Sequence, residues 1–304
     1  MSVLAGTKPD LRSVYRSSRP GRPYGLVPAR ASSSSDDWRS FRASLIMSER
    51  AEEDASGIDH QATASLLRKN EALMSTSNPE LVGSPLWAVP TTVLEKGSVI
   101  VAASALSEAA TLLMQHRQEA VIFITKHDAD GTRGLILNRP TSLMMGRTLI
   151  QSENGETSLR RLFEENVLMM GGAHIQESVE ILHQRPDVWE ASNEVIPGIW
   201  AATGDVPADL DSRLALANCA SAERKSQFKF FCGSEDWRPG ELQLEINEGM
   251  WTLCSVSPAI VAKACLSLPC PLWLEVSLRL GGETGEAASL AYASLLGSIV
   301  NDGE

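Results

Sequence analysis

The sequence predicts an α+β fold: a single domain whose mixed, largely antiparallel β-sheet surrounds a central hairpin and is covered by helices. Three observations point there. Residues 121–124 (VIFI) and 134–137 (GLIL) are apolar, largely β-branched runs separated by His127-Asp128-Ala129-Asp130-Gly131, a segment rich in turn formers. Asp130-Gly131 supplies positive φ at little cost, and the length of the turn-forming stretch predicts a connection of more than two residues. Both runs are apolar at consecutive positions, which places the hairpin centrally, with both faces covered. The segments that follow are short strands and helices without the regular βαβα rhythm of a doubly wound sheet.

In chain order, residues 1–35 read as a targeting segment. Residues 36–53 predict a helix, with Trp38, Phe41, Leu45 and Ile46 at near-helical spacing behind Asp36 or Asp37 as N-cap. From 54 to 90 the chain is polar and Ser-rich, with one helical patch at 64–74 and breakers at Pro79, Gly83, Pro85 and Pro90, so 36–95 reads as an N-terminal helix followed by a flexible arm. The compact domain is expected over 96–284. It opens with a strand at 98–102 and a helix at 107–115, then the hairpin, which Pro140 ends because it offers no N–H to a ladder. A short helix at 159–165 and a strand at 167–170 lead to Gly171-Gly172, followed by strands at 178–183 and 199–202 and a helix at 207–216. Residues 227–232 form a strand bearing Phe228, Phe230 and Phe231. A helix after Pro239, with Glu241 in its first turn, precedes a strand at 250–256, helices at 258–266 and 271–280, and a C-terminal helix or tail at 285–304.

The charge is unevenly spread. Over all 304 residues the formal net charge is −11, from 27 Lys and Arg against 38 Asp and Glu. Residues 1–35 hold six of the basic residues and one acid, together with Ser32 to Ser35; removing them leaves about −16 on residues 36–304. A basic, hydroxyl-rich, acid-poor start is the composition of an organelle transit peptide, and chloroplast delivery to the stroma is the expectation. So acidic a body repels phosphate backbones and disfavours direct DNA contact. No uncharged apolar run reaches 18 residues, so no transmembrane span is expected. The five cysteines, Cys219, Cys232, Cys254, Cys265 and Cys270, show no zinc-site spacing. They read as buried thiols, with a Cys265–Cys270 thiol switch as the alternative.

Five stretches resemble the AlgH-like family. They are residues 97–102; His127 through Gly134-Leu135-Ile136-Leu137-Asn138-Arg139-Pro140-Thr141; Gly171-Gly172 after a short strand; Phe230-Phe231-Cys232-Gly233 leading to Trp237 and Gly240-Glu241-Leu242; and Glu245-Ile246 followed by Trp251. Together they cover about residues 96–284. Residues 38–42, 194–198 and 280–282 are similar to the plant, plastid-type branch. The chain departs from the family's G-Y-x-G-W pattern at Gly233-Ser234-Glu235-Asp236-Trp237, and from the usual proline after Gly171-Gly172. The resemblance implies a protein of uncharacterised activity and a regulatory role.

The groups available for chemistry are few. Asn138 and Arg139 end a buried strand where a ligand could approach; the alternative is that Asn138 satisfies turn backbone and Arg139 pairs with a carboxylate inside the fold. Gly171 and Gly172 could present backbone N–H groups to an anion, although no P-loop lysine accompanies them. His127 and His174, with His116 and His183, are the possible acid–base groups. No metal spacing, cofactor motif or G-x-S-x-G elbow is present. Trp237 and Trp251 read as core pillars. Two classes of function follow: a non-catalytic regulatory protein with a protein partner, or a small-anion binder or enzyme using Asn138, Arg139 and the glycine pair.

Overall fold

The computed structural model describes residues 38–53, 60–103, 115–148, 156–203, 207, 209–263 and 270–293. Among the described residues eleven strands form the sheet: β1 (Ala88–Pro90), β2 (Val99–Ala102), β3 (Val121–Asp128), β4 (Gly131–Ile136), β5 (Pro140–Met144), β6 (Val167–Met170), β7 (His174–His183), β8 (Asn193–Ile196), β9 (Ile199–Thr203), β10 (Phe228–Trp237) and β11 (Trp251–Val256). Their order is β1-β11-β2-β3-β4-β10-β7-β9-β8, with β5 and β6 appended. All pairings are antiparallel except β6 with β10, so the sheet is mixed and largely antiparallel, with the hairpin β3–β4 in its middle.

Strand β10 is the seam. Its first half pairs with β7 on one side and with β6 on the other, and its last three residues pair with β4 on the side that β6 vacates. The hairpin itself is tighter than expected. Asp128 lies opposite Gly131, leaving a connection of two residues, Ala129 and Asp130. Asp128 Oδ1 accepts the Asp130 N–H at 2.9 Å and holds the turn, and Gly131 has a φ of +138° where a Cβ would lie 2.5 Å from the Trp237 carbonyl oxygen.

Alternation along the strands separates the core into layers. Val121, Phe123, Leu135, Leu137, Cys254 and Val256 face the largest apolar cluster, while Ile122, Ile124, Ile136, Trp237, Trp251 and Leu253 face the opposite one. A third cluster, around Phe163, Trp189, Phe228 and Phe230, lies beneath the β6–β7–β9 half.

The helices are α1 (Trp38–Glu53), α2 (His60–Ser77), α3 (Glu156–Leu162), α4 (Leu210–Leu216), α5 (Ser221–Gln227), α6 (Glu241–Asn247), α7 (Pro258–Ala262), α8 (Leu272–Leu280) and α9 (Gly282–Ala291). Helix α6 contributes Leu242 to the second cluster, and α7 and α8 contribute to the first. No described helix is long and apolar enough to cross a membrane.

The packed body reaches outside the expected 96–284. Where the sequence suggested a flexible arm, α2 places Leu66 and Met74 in the main core, β1 pairs with β11, and α9 buries Ala288. Helix α1 sets Ala43 against Trp87 and Val89, while Arg39 pairs with Glu95 at 3.0 Å and Arg42 donates to the Thr91 hydroxyl at 3.1 Å. The targeting segment, all but the last residue of the helix expected at 107–115, and Cys265 lie outside the described residues.

Candidate functional site

The residues 116–121 enter β3 through a backbone that the Asn-Arg-Pro segment clamps. Glu119 has a φ of 51°, a left-handed conformation that a residue with a Cβ adopts only when its surroundings hold it there. Asn138 does so from both ends: its Nδ2 donates to the Glu119 carbonyl at 2.8 Å and its Oδ1 accepts the Val121 N–H at 3.1 Å. Arg139 donates to the Asn138 carbonyl at 3.1 Å and to the Gln118 carbonyl. The expected carboxylate partner for Arg139 is therefore corrected: among the described residues it makes no ion pair, and its hydrogen bonds go to main-chain oxygens. Burial lowers its pKa from the usual guanidinium range, against the pull of the Glu119 carboxylate. That carboxylate accepts the Tyr292 hydroxyl at 2.7 Å.

The glycine pair sits at the seam, where β6 leaves β10 and β4 arrives. Gly171 donates its N–H to the Cys232 carbonyl and its carbonyl accepts from Ile136, both at 2.8 Å. A Cβ on Gly171 would lie 2.2 Å from the Gly233 oxygen, and one on Gly172 2.2 Å from the Ser234 carbonyl carbon. The space a ligand would need is filled by β10. The next N–H, that of Ala173, donates to Glu235 Oε1 at 2.9 Å, so the anion at this loop is the chain's own carboxylate.

Glu235 also organises the polar centre that sequence reasoning missed. Its side chain is 2% exposed, accepts Arg117 Nε at 2.8 Å and lies 3.2 Å from His116 Nε2. Arg117 reaches Glu245 at 3.2 Å, and its guanidinium carbon lies 5.3 Å from the Trp237 ring centroid and 5.9 Å from that of Trp251. Glu245 Oε2 accepts both indole N–H groups, at 3.0 Å from Trp237 and 2.7 Å from Trp251. The two tryptophans are core pillars, as their positions suggested, and the glutamate between them joins them to the arginine. The visible signal was the Trp237, Glu245, Trp251 set; nothing local marked Arg117.

The histidines stand apart. His127 shares a 2.7 Å hydrogen bond with Thr132, at the hairpin end. His174 is 61% exposed and 3.7 Å from Asp236, whose carboxylate is held by Arg133 at 2.8 Å; that bond raises the Arg133 pKa. Arg133 also reaches Glu180 at 3.1 Å. His183 is buried in the third cluster, where Arg185 donates its N–H to Nδ1 at 3.1 Å. Asn138 and Arg139 thus act together on residues 118–121, Gly171, Gly172 and His174 lie along β10, and His127 stands at the hairpin end, so the six do not converge on one site. Among the described residues no cluster of His, Cys, Asp and Glu could hold a metal ion. Cys254 and Cys270 are buried, and burial pushes the Cys270 thiol up to about 12, so it stays protonated.

A family model described as AlgH-like matches residues 105–285. A UPF0301 protein from Chlorobium luteolum is 27% identical over 163 residues, covering 53% of this chain and 78% of the relative. One from Thermobifida fusca is 31% identical over 179 residues, covering 57% and 83%. Among solved structures, the chain is similar to a Corynebacterium diphtheriae protein at 18% identity and TM-score 0.46, over 65% of this chain and 93% of that one. The AlgH protein of Pseudomonas aeruginosa is likewise 18% identical, at TM-score 0.40 over 68% and 93%. The matched residues include the hairpin, the seam and the tryptophan–glutamate–arginine centre, and the chain belongs to the AlgH-like family.

Proposed function

We propose that this chain is a non-catalytic regulatory or interaction protein of the plastid stroma. The observation that supports this reading is how the candidate site groups are used within the fold: Asn138 and Arg139 hold the loop at Glu119, the glycine pair is filled by β10 and Glu235, His127 bonds Thr132 and His174 lies beside Asp236. The plastid assignment draws on the basic, serine-rich composition of residues 1–35. The regulation acts through protein contact, because residues 36–304 carry about −16 and lack the Lys and Arg excess that draws proteins to nucleic acid.

Purified chain is added to plastid stromal extract, crosslinked and compared with a control at high salt. A stoichiometric protein complex is the expected result. Turnover of a small molecule by the purified chain, with no complex formed, would overturn the reading. In gel-shift titrations at low salt no saturable DNA retardation is expected.

A second reading, a small anionic ligand at Arg139, is favoured by one observation: among the described residues its charge meets carbonyl dipoles and no carboxylate at ion-pair distance. Phosphate or a dicarboxylate that raises the melting temperature of the wild type, and fails to raise that of Arg139→Ala, would select it.

A further inference from the structure

We propose that the ribbon formed by β5 and β6 is a docking surface, and that it receives a short segment of a partner protein in which acidic residues flank an apolar centre. This rests on the interaction-protein reading and adds to it the surface and the chemistry of the partner.

Strand β5 is built without a core of its own. Four of its five residues are exposed and none is buried, and among the described residues it pairs with β6 alone. A short strand ordinarily holds its place by burying one face, yet Leu143 and Met144, on opposite faces, are 48% and 41% exposed. Met170, at the end of β6, is 40% exposed and donates its N–H to the Arg139 carbonyl at 2.8 Å. Pro140 lies opposite Met169 and Met144 opposite Val167, and Met169 and Val167 turn toward the main cluster. Alternation therefore puts Arg139, Leu143 and Met170 together on the other face. Exposed leucine and methionine side chains sharing a face form an adaptable contact surface for another protein.

The charge along this ribbon is opposite in sign to that of the chain. Residues 138–152 hold Arg139 and Arg147 and no acid, in a sequence of 27 bases and 38 acids. Arg147 is exposed and, among the described residues, has no carboxylate at ion-pair distance. Arg160 of α3 reaches the residue before it, with its guanidinium 3.5 Å from the Gly146 carbonyl, and Arg139 donates to main-chain oxygens. Glu164 lies across the main chain from Gly146, and its carboxylate pairs with none of the three. Guanidinium groups without an ion pair thus border an apolar strip, and carboxylates on a partner would gain forked, charge-assisted hydrogen bonds there.

The form of the strand narrows the choice of occupant. Pro140 has no N–H, and four residue steps in β5 match two in β6 between Pro140 and Met144, a bulge of the kind that closes an edge to a further strand. The partner therefore meets side chains and does not extend the ladder. A second copy laid ribbon to ribbon would set arginine against arginine. A phosphate backbone would leave Leu143 and Met170 uncovered while facing a body of about −16. An acidic segment with an apolar centre satisfies the charge and the apolar strip together.

The test uses the full chain and a fluorescent synthetic peptide with a Val-Leu-Val-Leu centre between paired glutamates, beside a twin with lysines for the glutamates. Wild type should bind the acidic peptide saturably and at least tenfold more tightly than the twin, with an affinity that falls as salt rises. Leu143→Asp/Arg147→Glu alters two exposed side chains and should bind the acidic peptide at least tenfold more weakly at an unchanged melting temperature. Arg16→Glu/Arg19→Glu, in the basic N-terminal stretch, should bind it as wild type does. Equal binding by wild type and the ribbon variant, loss of binding in Arg16→Glu/Arg19→Glu, or single-stranded DNA bound as tightly as the peptide would each overturn the proposal. If the ribbon variant does not fold, a photo-crosslinking form of the acidic peptide decides on wild type: adducts within 139–147 or at Met170 support the ribbon, and adducts elsewhere refute it. A stromal complex that forms equally well with the ribbon variant would remove the ribbon and retain the interaction-protein reading; ribbon-dependent peptide binding without any stromal complex would retain the ribbon and remove the stromal partner.

Discussion

Lowering the pH from 7 to 5 should destabilise this protein through one side chain. His183, on β7, is 1% exposed, with ring centroids of Trp189, Trp200 and Phe228 at 6.1, 6.4 and 5.6 Å. Its Nδ1 accepts the Arg185 N–H, and among the described residues its buried Nε2 meets no hydrogen-bond partner. Burial pushes the pKa down from 6.5 to about 4, against the attraction of Asp187. A base with a depressed folded pKa takes up its proton first in the unfolded chain, so its contribution is intact above the unfolded value of 6.5 and lost as pH falls toward 4. At 1.36 kcal/mol for each pH unit, the gap from 6.5 to about 4 amounts to about 3 kcal/mol in full. The same two values place about 2 kcal/mol of it between pH 7 and pH 5, a window in which ordinary carboxylates remain ionised. Urea unfolding followed by tryptophan fluorescence reads the loss, and His183→Phe, which keeps a ring among the aromatics and cannot be protonated, should be less sensitive by that amount. Equal pH dependence in wild type and His183→Phe would refute the reasoning.

Lys263→Ala takes one of the two cations from the buried Glu275, leaving Arg279 and the Asn70 amide on it, and should lower stability by about 3–5 kcal/mol in urea titrations. Burial pushes Glu275 upward, but Lys263 and Arg279 pull its pKa below the usual carboxylate range, so its stabilisation is present above the unfolded carboxylate pKa and disappears as pH falls through the lower folded value. Calorimetry of wild type against Lys263→Ala below pH 4 should show the two converging. Asn138→Ala removes two bonds from the strained turn at Glu119 and should cost about 2–3 kcal/mol; Arg139→Ala, whose carbonyl partners are closer to water, should cost about 1–2 kcal/mol, measured by the same unfolding assay. Gly172→Ala puts a Cβ into the Ser234 main chain and should cost more than about 3 kcal/mol or yield insoluble protein, read by yield and thermal midpoint.

The central hairpin was legible because two β-branched runs around Asp-Gly leave few alternatives, and Trp237 and Trp251 declared themselves as large apolar groups beside turns. The length of the turn was not, because the bond that tightens it runs from Asp128 Oδ1 to Asp130 inside the loop. Strands β1, β5 and β8 are three to five residues long and gain their identity from neighbours distant in sequence. Arg117 was invisible for the same reason: its two carboxylates lie 118 and 128 positions downstream. For Arg139 the sequence supplied a charge and not a partner, and carbonyl oxygens carry no compositional mark. Gly171-Gly172 shows how such a motif misleads: a missing Cβ makes room for a phosphate or for a strand, and only the approach of Ser234 distinguishes them.

The seam at β10 sets an order of events for a chain that emerges or is threaded from its N-terminus. Strands β2, β3 and β4 are complete by residue 136, yet the strands that flank them, β11 and β10, begin at 251 and 228. About a hundred residues must follow before either edge of that three-stranded piece is covered, and both of its faces are apolar in the meantime. Exposed strand edges and apolar faces held open for so long are what holding chaperones bind. Pairing β6 with β7 on either side of β10 is equally impossible until residue 228 arrives. Closure of both halves therefore waits on one ten-residue strand, and a nascent chain stalled just before Phe228 would carry most of its sheet in separate, unjoined pieces.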